Sequence, residues 1–148
     1  MEEQLQYLLD RLALEDQIKL YAHFLDTKQF DRMFEVFAPG AWVDYTTTGG
    51  AKGPVEETKE YLKVGLAQFR SQHLATNIMA EIAEDRKTAK TTHLLFNPMT
   101  MDLKGKDYTF FCGLFYDCEW IMTEQGVWKV TKMVERDSYM FRPPVDKR

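Results

Sequence analysis

Three side chains in this sequence could move a proton to and from a small molecule: His73, His93 and Asp26. Histidine is the one side chain whose ordinary pKa, about 6.5, lets it take and return a proton near neutral pH. A carboxylate partner would orient the ring and stabilise its cation. His73 opens a strand-like run, Arg70-Ser71-Gln72-His73-Leu74-Ala75-Thr76-Asn77, and His93 lies inside another, Thr91-Thr92-His93-Leu94-Leu95-Phe96. A hairpin turning near Asp85-Arg86 would set the two histidines nearly opposite, since a centre at about residue 83 is equidistant from both. Cross-strand Cβ atoms are then about 4.5–5.5 Å apart, near enough to share a carboxylate. Asp26 ends the first helical pattern, where it could also pair with His23 three residues earlier. Tyr45 and Tyr21 are the phenols that could serve a substrate oxygen. Spacing alone leaves plain alternatives open: hydrogen-bonded core histidines and packing tyrosines.

The elements that must position these groups read as α+β. Residues 4–26 form a helix whose apolar stripe, Leu5, Leu8, Leu9 and Leu12, continues through Leu14, Ile18, Tyr21, Ala22 and Leu25. A short helix carrying Phe30, Met33, Phe34 and Phe37 ends at Pro39-Gly40, and Pro54 opens a third helix over 55–69. A strand at 41–46 precedes that helix, and runs at about 72–84, 88–101, 107–123 and 127–138 follow it. Turns are expected at Asp85-Arg86, Lys104-Gly105-Lys106 and Glu124-Gln125-Gly126. Helices gathered early and a strand meander late predict one domain over 1–148, its curved sheet covered by helices on the concave side. Tyr108, Phe110, Tyr116 and Trp120 share one face of their strand, expected to be the convex one. The tail at 142–148 is expected to fray or wrap an edge.

Composition narrows the function. The 148 residues are 45% hydrophobic and 14% aromatic, enough to fill a core and still line a cavity. The net charge of −4 and the absence of a basic, aromatic-interleaved stretch argue against nucleic acid. No apolar run reaches the roughly 18 residues of a membrane span. The opening Met1-Glu2-Glu3-Gln4 does not read as a signal peptide. Cys112 and Cys118 lie about 20 Å apart along one strand, so they read as free thiols of a cytoplasmic protein. No metal-ligand spacing, phosphate loop or nucleophile elbow is present, so neither a metal nor a cofactor is expected.

With these residues in place, a resemblance emerges. Leu25-Asp26-Thr27-Lys28-Gln29-Phe30-Asp31-Arg32, then Phe37-Ala38-Pro39 and Val43-Asp44-Tyr45, resemble the front half of scytalone dehydratase. Gln72-His73, the strand histidine His93, and Trp120 followed by Gly126-Val127-Trp128-Lys129 resemble its back half. The wider group is the SnoaL-like branch of the nuclear transport factor 2-like superfamily. The resemblance implies a cone-shaped, curved, mainly antiparallel sheet packed against three helices. It also implies a cofactor-independent dehydratase that removes water next to a carbonyl of a small hydrophobic hydroxy-ketone.

Carried over by position, His73 is the catalytic histidine, His93 the second histidine, Asp26 the aspartate and Tyr45 the substrate-ordering tyrosine. Leu25 stands where the family has its other tyrosine, and Asp117 where it has an asparagine. Related bile-acid dehydratases place a tyrosine five residues before the aspartate, which here is Tyr21. Asp117, Phe115, Asn77, Leu25 and Trp42 are the expected substrate contacts. The same residues would serve a SnoaL-like polyketide cyclase or an isomerase acting through an enolate. A non-catalytic ligand-binding or oligomer-supporting cone would not need His73, His93 and Asp26 together. Apolar surface left on a monomer predicts a homo-oligomer, dimer or trimer.

Overall fold

The computed structural model describes residues 1–144. Helix α1 spans Glu2–Asp26, α2 spans Phe30–Met33 and α3 spans Val55–Ala67. Strands β1 (Phe37–Asp44), β2 (Lys52–Pro54), β3 (Arg70–Ser71), β4 (Leu74–Ile82), β5 (Thr88–Asp102), β6 (Asp107–Met122) and β7 (Trp128–Phe141) form one curved, unclosed sheet. Its order is β2-β1-β7-β6-β5-β3, with β4 also paired to β5. Only the β1–β7 pairing is parallel. The helices and an antiparallel meander thus appear in the expected order, with two short additional strands.

From Leu14 onward α1 presents Leu14, Ile18, Tyr21, Ala22 and Leu25 to the core at helical spacing. The stripe does not extend to the first turns: Leu5, Leu8, Leu9 and Leu12 are exposed, while Asp10 is buried against Arg86. The second helix stops earlier than its aromatics suggest, and β1 runs through Pro39-Gly40, where Gly40 takes φ +72° at a register shift against β7. Trp120 and Trp128 are nearly sealed in the core. Truncating either to Ala would cost about 3–5 kcal/mol.

Loop length reverses the expected faces of β6. Asp102 pairs with Asp107, so the turn holds four residues, Leu103–Lys106, and not three. One residue more in the loop flips every side chain of the following strand. His93 therefore lies opposite Tyr116 and Asn97 opposite Cys112, on the helix-covered side. Phe110 and Tyr116 line an interior cavity and Trp120 is core, whereas Phe111 stacks with partly exposed Phe96 on the outer face.

Of the expected tail, 145–148 lie outside the described residues. Arg142 borders the cavity, and the Pro143 carbonyl accepts the Tyr108 hydroxyl at 3.0 Å, so 142–144 pack back onto the domain. Among the described residues no helix is long and apolar enough to cross a membrane.

Candidate active site

Asp26 closes α1. The Thr27 hydroxyl donates to the His23 carbonyl at 2.6 Å, and Lys28 turns left-handed (φ 60°), which stops the helix at this point. A carboxylate at a helix C-terminus faces the wrong end of the macrodipole. Three donors offset this. The Ser71 hydroxyl reaches Oδ1 at 2.9 Å, the His73 backbone N–H reaches Oδ2 at 2.7 Å, and His73 Nδ1 lies 2.6 Å from Oδ1. Burial works to raise the Asp26 pKa, but these donors, led by the His73 ring, hold it below the usual carboxylate range.

The His73 N–H is free to do this because Gln72 N–H points to β5, so the next N–H along the chain points to the open sheet edge, and the strand is also interrupted there. The N–H and C=O of one strand residue point the same way, and the Pro98 carbonyl accepts from Gln72 N–H at 3.1 Å. Pro98 thus lacks a donor just where the strand opposite would need one. The strand expected over 72–84 accordingly begins only at Leu74 as β4, with Gln72-His73 separating it from the two-residue β3.

The turn between β4 and β5 brackets Glu84–Lys87, with Ala83 N–H donating to Thr88 O, so its centre lies beyond residue 83. Leu74 consequently faces Phe96. The residue brought to His73 is Asn97, whose Nδ2 lies 3.1 Å from His73 Nε2, and not His93. With Nδ1–H donated to Asp26, Nε2 carries the lone pair and accepts the amide N–H. The ring is thereby held in the tautomer that makes Nε2 a base.

His73, Asn97 and Leu25 border a cavity of about 340 Å³ between α1, α3 and the concave sheet. Much of its wall is apolar: Leu62, Leu66, Phe69, Met99, Phe110 and Leu114. Two polar clusters interrupt it. In the first, the Tyr21 and Tyr45 hydroxyls lie 2.9 Å apart, with Tyr45 also 3.3 Å from Met133 Sδ. Burial raises the pKa of both phenols, so they remain protonated donors. Two hydroxyls sharing one mutual bond leave one proton over, available to Met133 or to a molecule in the cavity.

The second cluster centres on Glu135 of β7, which pairs across the sheet with Tyr116. Its carboxylate accepts the Tyr116 hydroxyl at 2.9 Å and the Thr48 hydroxyl at 2.5 Å. Burial pushes Glu135 up, the hydroxyls of Thr48, Tyr116 and Thr47 pull it partly back, and the net pKa is raised.

His93 is buried behind Tyr116, its ring stacked 5.4 Å from the phenol at 20°, and it does not border the cavity. Among the described residues its Nδ1 has no partner, and desolvation lowers its pKa to about 4, so it is neutral at pH 7.

The remaining expected contacts divide. Tyr21, Tyr45 and Leu25 border the cavity, while Asp117, Phe115, Asn77 and Trp42 do not. Asp117 and Phe115 are outward because of the four-residue loop. Asp117 binds Thr92 and Arg136, whose guanidinium also covers the Phe115 ring at 4.9 Å. Asn77 is an exposed left-handed residue (φ 50°) at the β4 bulge. Trp42 alternates outward from fully buried Val43 and is 45% exposed. Sequence reasoning missed Asn97 as the His73 partner, and missed Ser71 and Glu135 entirely. The serine two residues before His73 was the one available signal for the Asp26 cradle.

Comparison with known proteins agrees with this architecture. Residues 6–134 match the model of the SnoaL-like domain. The uncharacterized protein Rv2910c of Mycobacterium tuberculosis is 32% identical over 127 residues, covering 85% of this chain and 84% of that protein. An uncharacterized protein of Mycobacterium bovis, Mb2934c, is similar to the same extent. A structure from Novosphingobium aromaticivorans, provisionally described as a scytalone dehydratase, superposes with TM-score 0.80 at 18% identity, covering 98% of this chain and 93% of its own. The hexachlorocyclohexane dehydrochlorinase LinA-type3 of Novosphingobium barchaimii gives 0.76 at 19% identity, covering 98% and 96%.

Proposed function

Given that the chain belongs to the SnoaL-like domain family, we propose that it is a lyase that removes water from a small, largely apolar hydroxy-ketone without a cofactor. The observation that carries this reading is the His73–Asp26 pair, whose second ring nitrogen, bonded only to the Asn97 amide, borders a mostly apolar cavity. The dehydratase and dehydrochlorinase names among proteins of the same fold are in keeping with elimination chemistry.

Substrate entering the cavity displaces the Asn97 N–H from His73 Nε2. Nε2 then takes the proton from the carbon next to the carbonyl. Asp26 stabilises the imidazolium that forms, as it already accepts Nδ1–H. Negative charge moves to the carbonyl oxygen, where the spare proton of the Tyr21–Tyr45 pair forms the stabilising hydrogen bond. As the enolate collapses, the C–O bond one carbon further breaks and a C=C bond forms. The departing hydroxide takes up a proton, which protonated His73 can supply, and leaves as water. A positioned base contributes about 10²–10⁴-fold. The oxyanion donor adds about 10²–10³-fold.

The test is a panel of aromatic and polyketide-like β-hydroxy ketones, followed by mass spectrometry and NMR. The reading expects loss of water, abolished in His73→Gln. Conversion at unchanged mass would replace it with isomerisation or cyclisation through the same enolate. No His73-dependent conversion of any member would overturn it.

A further inference from the structure

Glu135 is a buried carboxyl in the same cavity as His73, and the proton transfers above do not use it. Among the described residues its hydrogen-bond partners are hydroxyls alone: Tyr116 on Oε1, and Thr48 and Thr47 on Oε2. Among the described residues no Lys, Arg or His side chain pairs with it. A carboxylate withdrawn from water without a cation costs several kcal/mol, and an apolar residue would fill this β7 position at no such cost. The site is built nonetheless, since the 3₁₀ turn Thr46–Thr48 brings two hydroxyls to one oxygen while β6 brings a third to the other.

The other titratable or charged groups facing the cavity are Tyr21 from α1, Tyr45 after β1, Tyr61 from α3, His73, Cys112 and Tyr116 from β6, and Arg142 after β7. Cys118 lies behind them. Burial holds both cysteine thiols protonated, with pKa values pushed up to about 11 and about 12. The buried phenols of Tyr21, Tyr45 and Tyr116 are likewise held protonated. Glu135 is therefore, among the described residues, the one carboxyl that borders the cavity, and burial pushes its pKa up.

We propose that Glu135 is the general acid of the elimination, protonating the departing oxygen while His73 takes the carbon-bound proton. This rests on the lyase reading and deepens it: one group removes a proton at one end of the substrate and another supplies one at the other. The C–H bond breaks onto His73 Nε2 and the C=C bond forms. The C–O bond breaks with its electron pair on oxygen, and that oxygen takes the Glu135 proton and leaves as water. His73 is left as imidazolium and Glu135 as carboxylate. Return of one proton between them through solvent resets the site, with no other reactant consumed. The substrate class is thereby narrowed to compounds whose leaving group needs a proton, an alcohol or hydroxyl, and not one that departs as a stable anion.

The experiment compares pH–rate profiles of wild type, Glu135→Gln, Glu135→Asp and Tyr116→Phe. The substrates are a β-hydroxy ketone and its β-acetoxy counterpart, whose acetate leaves without protonation. Near-ultraviolet circular dichroism monitors the fold. Glu135→Gln is expected to lose at least ~10²-fold on the hydroxy compound, together with one limb of the bell-shaped profile, while running near the wild-type rate on the acetoxy compound. Tyr116→Phe removes a hydroxyl that stabilises the carboxylate, so it should move that same limb to higher pH. This shift and the activity retained by Glu135→Asp decide the matter if Glu135→Gln does not fold. Equal losses on both substrates, or an unchanged bell in Glu135→Gln, would overturn the assignment while leaving His73 as base. Absence of elimination by the wild-type protein on both substrates would overturn it together with the lyase reading.

Discussion

One carboxylate holds one histidine twice: Asp26 Oδ1 lies 2.6 Å from His73 Nδ1, and Asp26 Oδ2 accepts the His73 backbone N–H at 2.7 Å. The ring and the main chain of the proposed base are thus fixed by the end of α1, at the sheet edge between β3 and β4.

An amide cannot reproduce this. Asp26→Asn offers one acceptor oxygen to two N–H donors and turns an NH₂ against the other. We expect a stability loss of about 1–3 kcal/mol in urea titration. The turnover loss should be smaller than the ~10²-fold or more of His73→Gln. The wild-type carboxylate is held below its usual pKa, so its contribution is fully present at neutral pH and fades as pH falls through the folded value.

His93 gives the molecule a separate acid sensitivity. Its pKa falls from 6.5 to about 4 on burial, so between those values the unfolded chain binds a proton that the folded one refuses. Stability must then fall as pH drops from about 6.5 to 4, by about 3 kcal/mol from this residue. Denaturation at pH 7 and pH 4.5 should show that loss in wild type and a much smaller one in His93→Gln. Because His93 does not border the cavity, turnover at pH 7 should change far less than in His73→Gln.

The two phenols act in series if the spare proton reaches the substrate through Tyr21. Tyr21→Phe should lower turnover by about 10²-fold, and Tyr45→Phe should lower it too by freeing Tyr21 to rotate. The double variant should be little worse than the worse single one. A double-mutant cycle on the rate constants gives the answer: additive losses would mean that the hydroxyls act independently.

Asp117 should be dispensable for turnover. It binds Thr92 at 2.7 Å and Arg136 on the outer face. Asp117→Asn is expected to leave kcat/KM within about twofold, a change of under half a kcal/mol.

That last case shows where sequence reading reached and where it stopped. Helical spacing identified the buried side of α1 from Leu14 to Leu25, and with it the place of Asp26 and Tyr21. A histidine at the start of a strand run identified His73. Strand faces, however, depend on the parity of loop lengths, and three residues or four in the β5–β6 turn were indistinguishable from Lys104-Gly105-Lys106 alone. A bulge hid Glu135 in a similar way. Trp128 and Val130 face the core, but Trp120 pairs with Val130 and Glu119 with Lys132, so Thr131 is an extra residue and the buried positions continue at Met133 and Glu135. On strict alternation Glu135 reads as a solvated glutamate beside Arg136. Asn97 was masked by the assumption that two histidines in neighbouring strands must meet.

The central claim is that His73 removes a proton from the carbon beside a carbonyl. The direct measurement is exchange of that proton for deuterium in heavy water, followed by NMR on a ketone lacking the leaving hydroxyl, with wild type and folded His73→Gln side by side. Wild type is expected to exchange the position well above the buffer rate, and His73→Gln to lose at least ~10²-fold of that acceleration. Exchange at the full wild-type rate in His73→Gln would contradict the account.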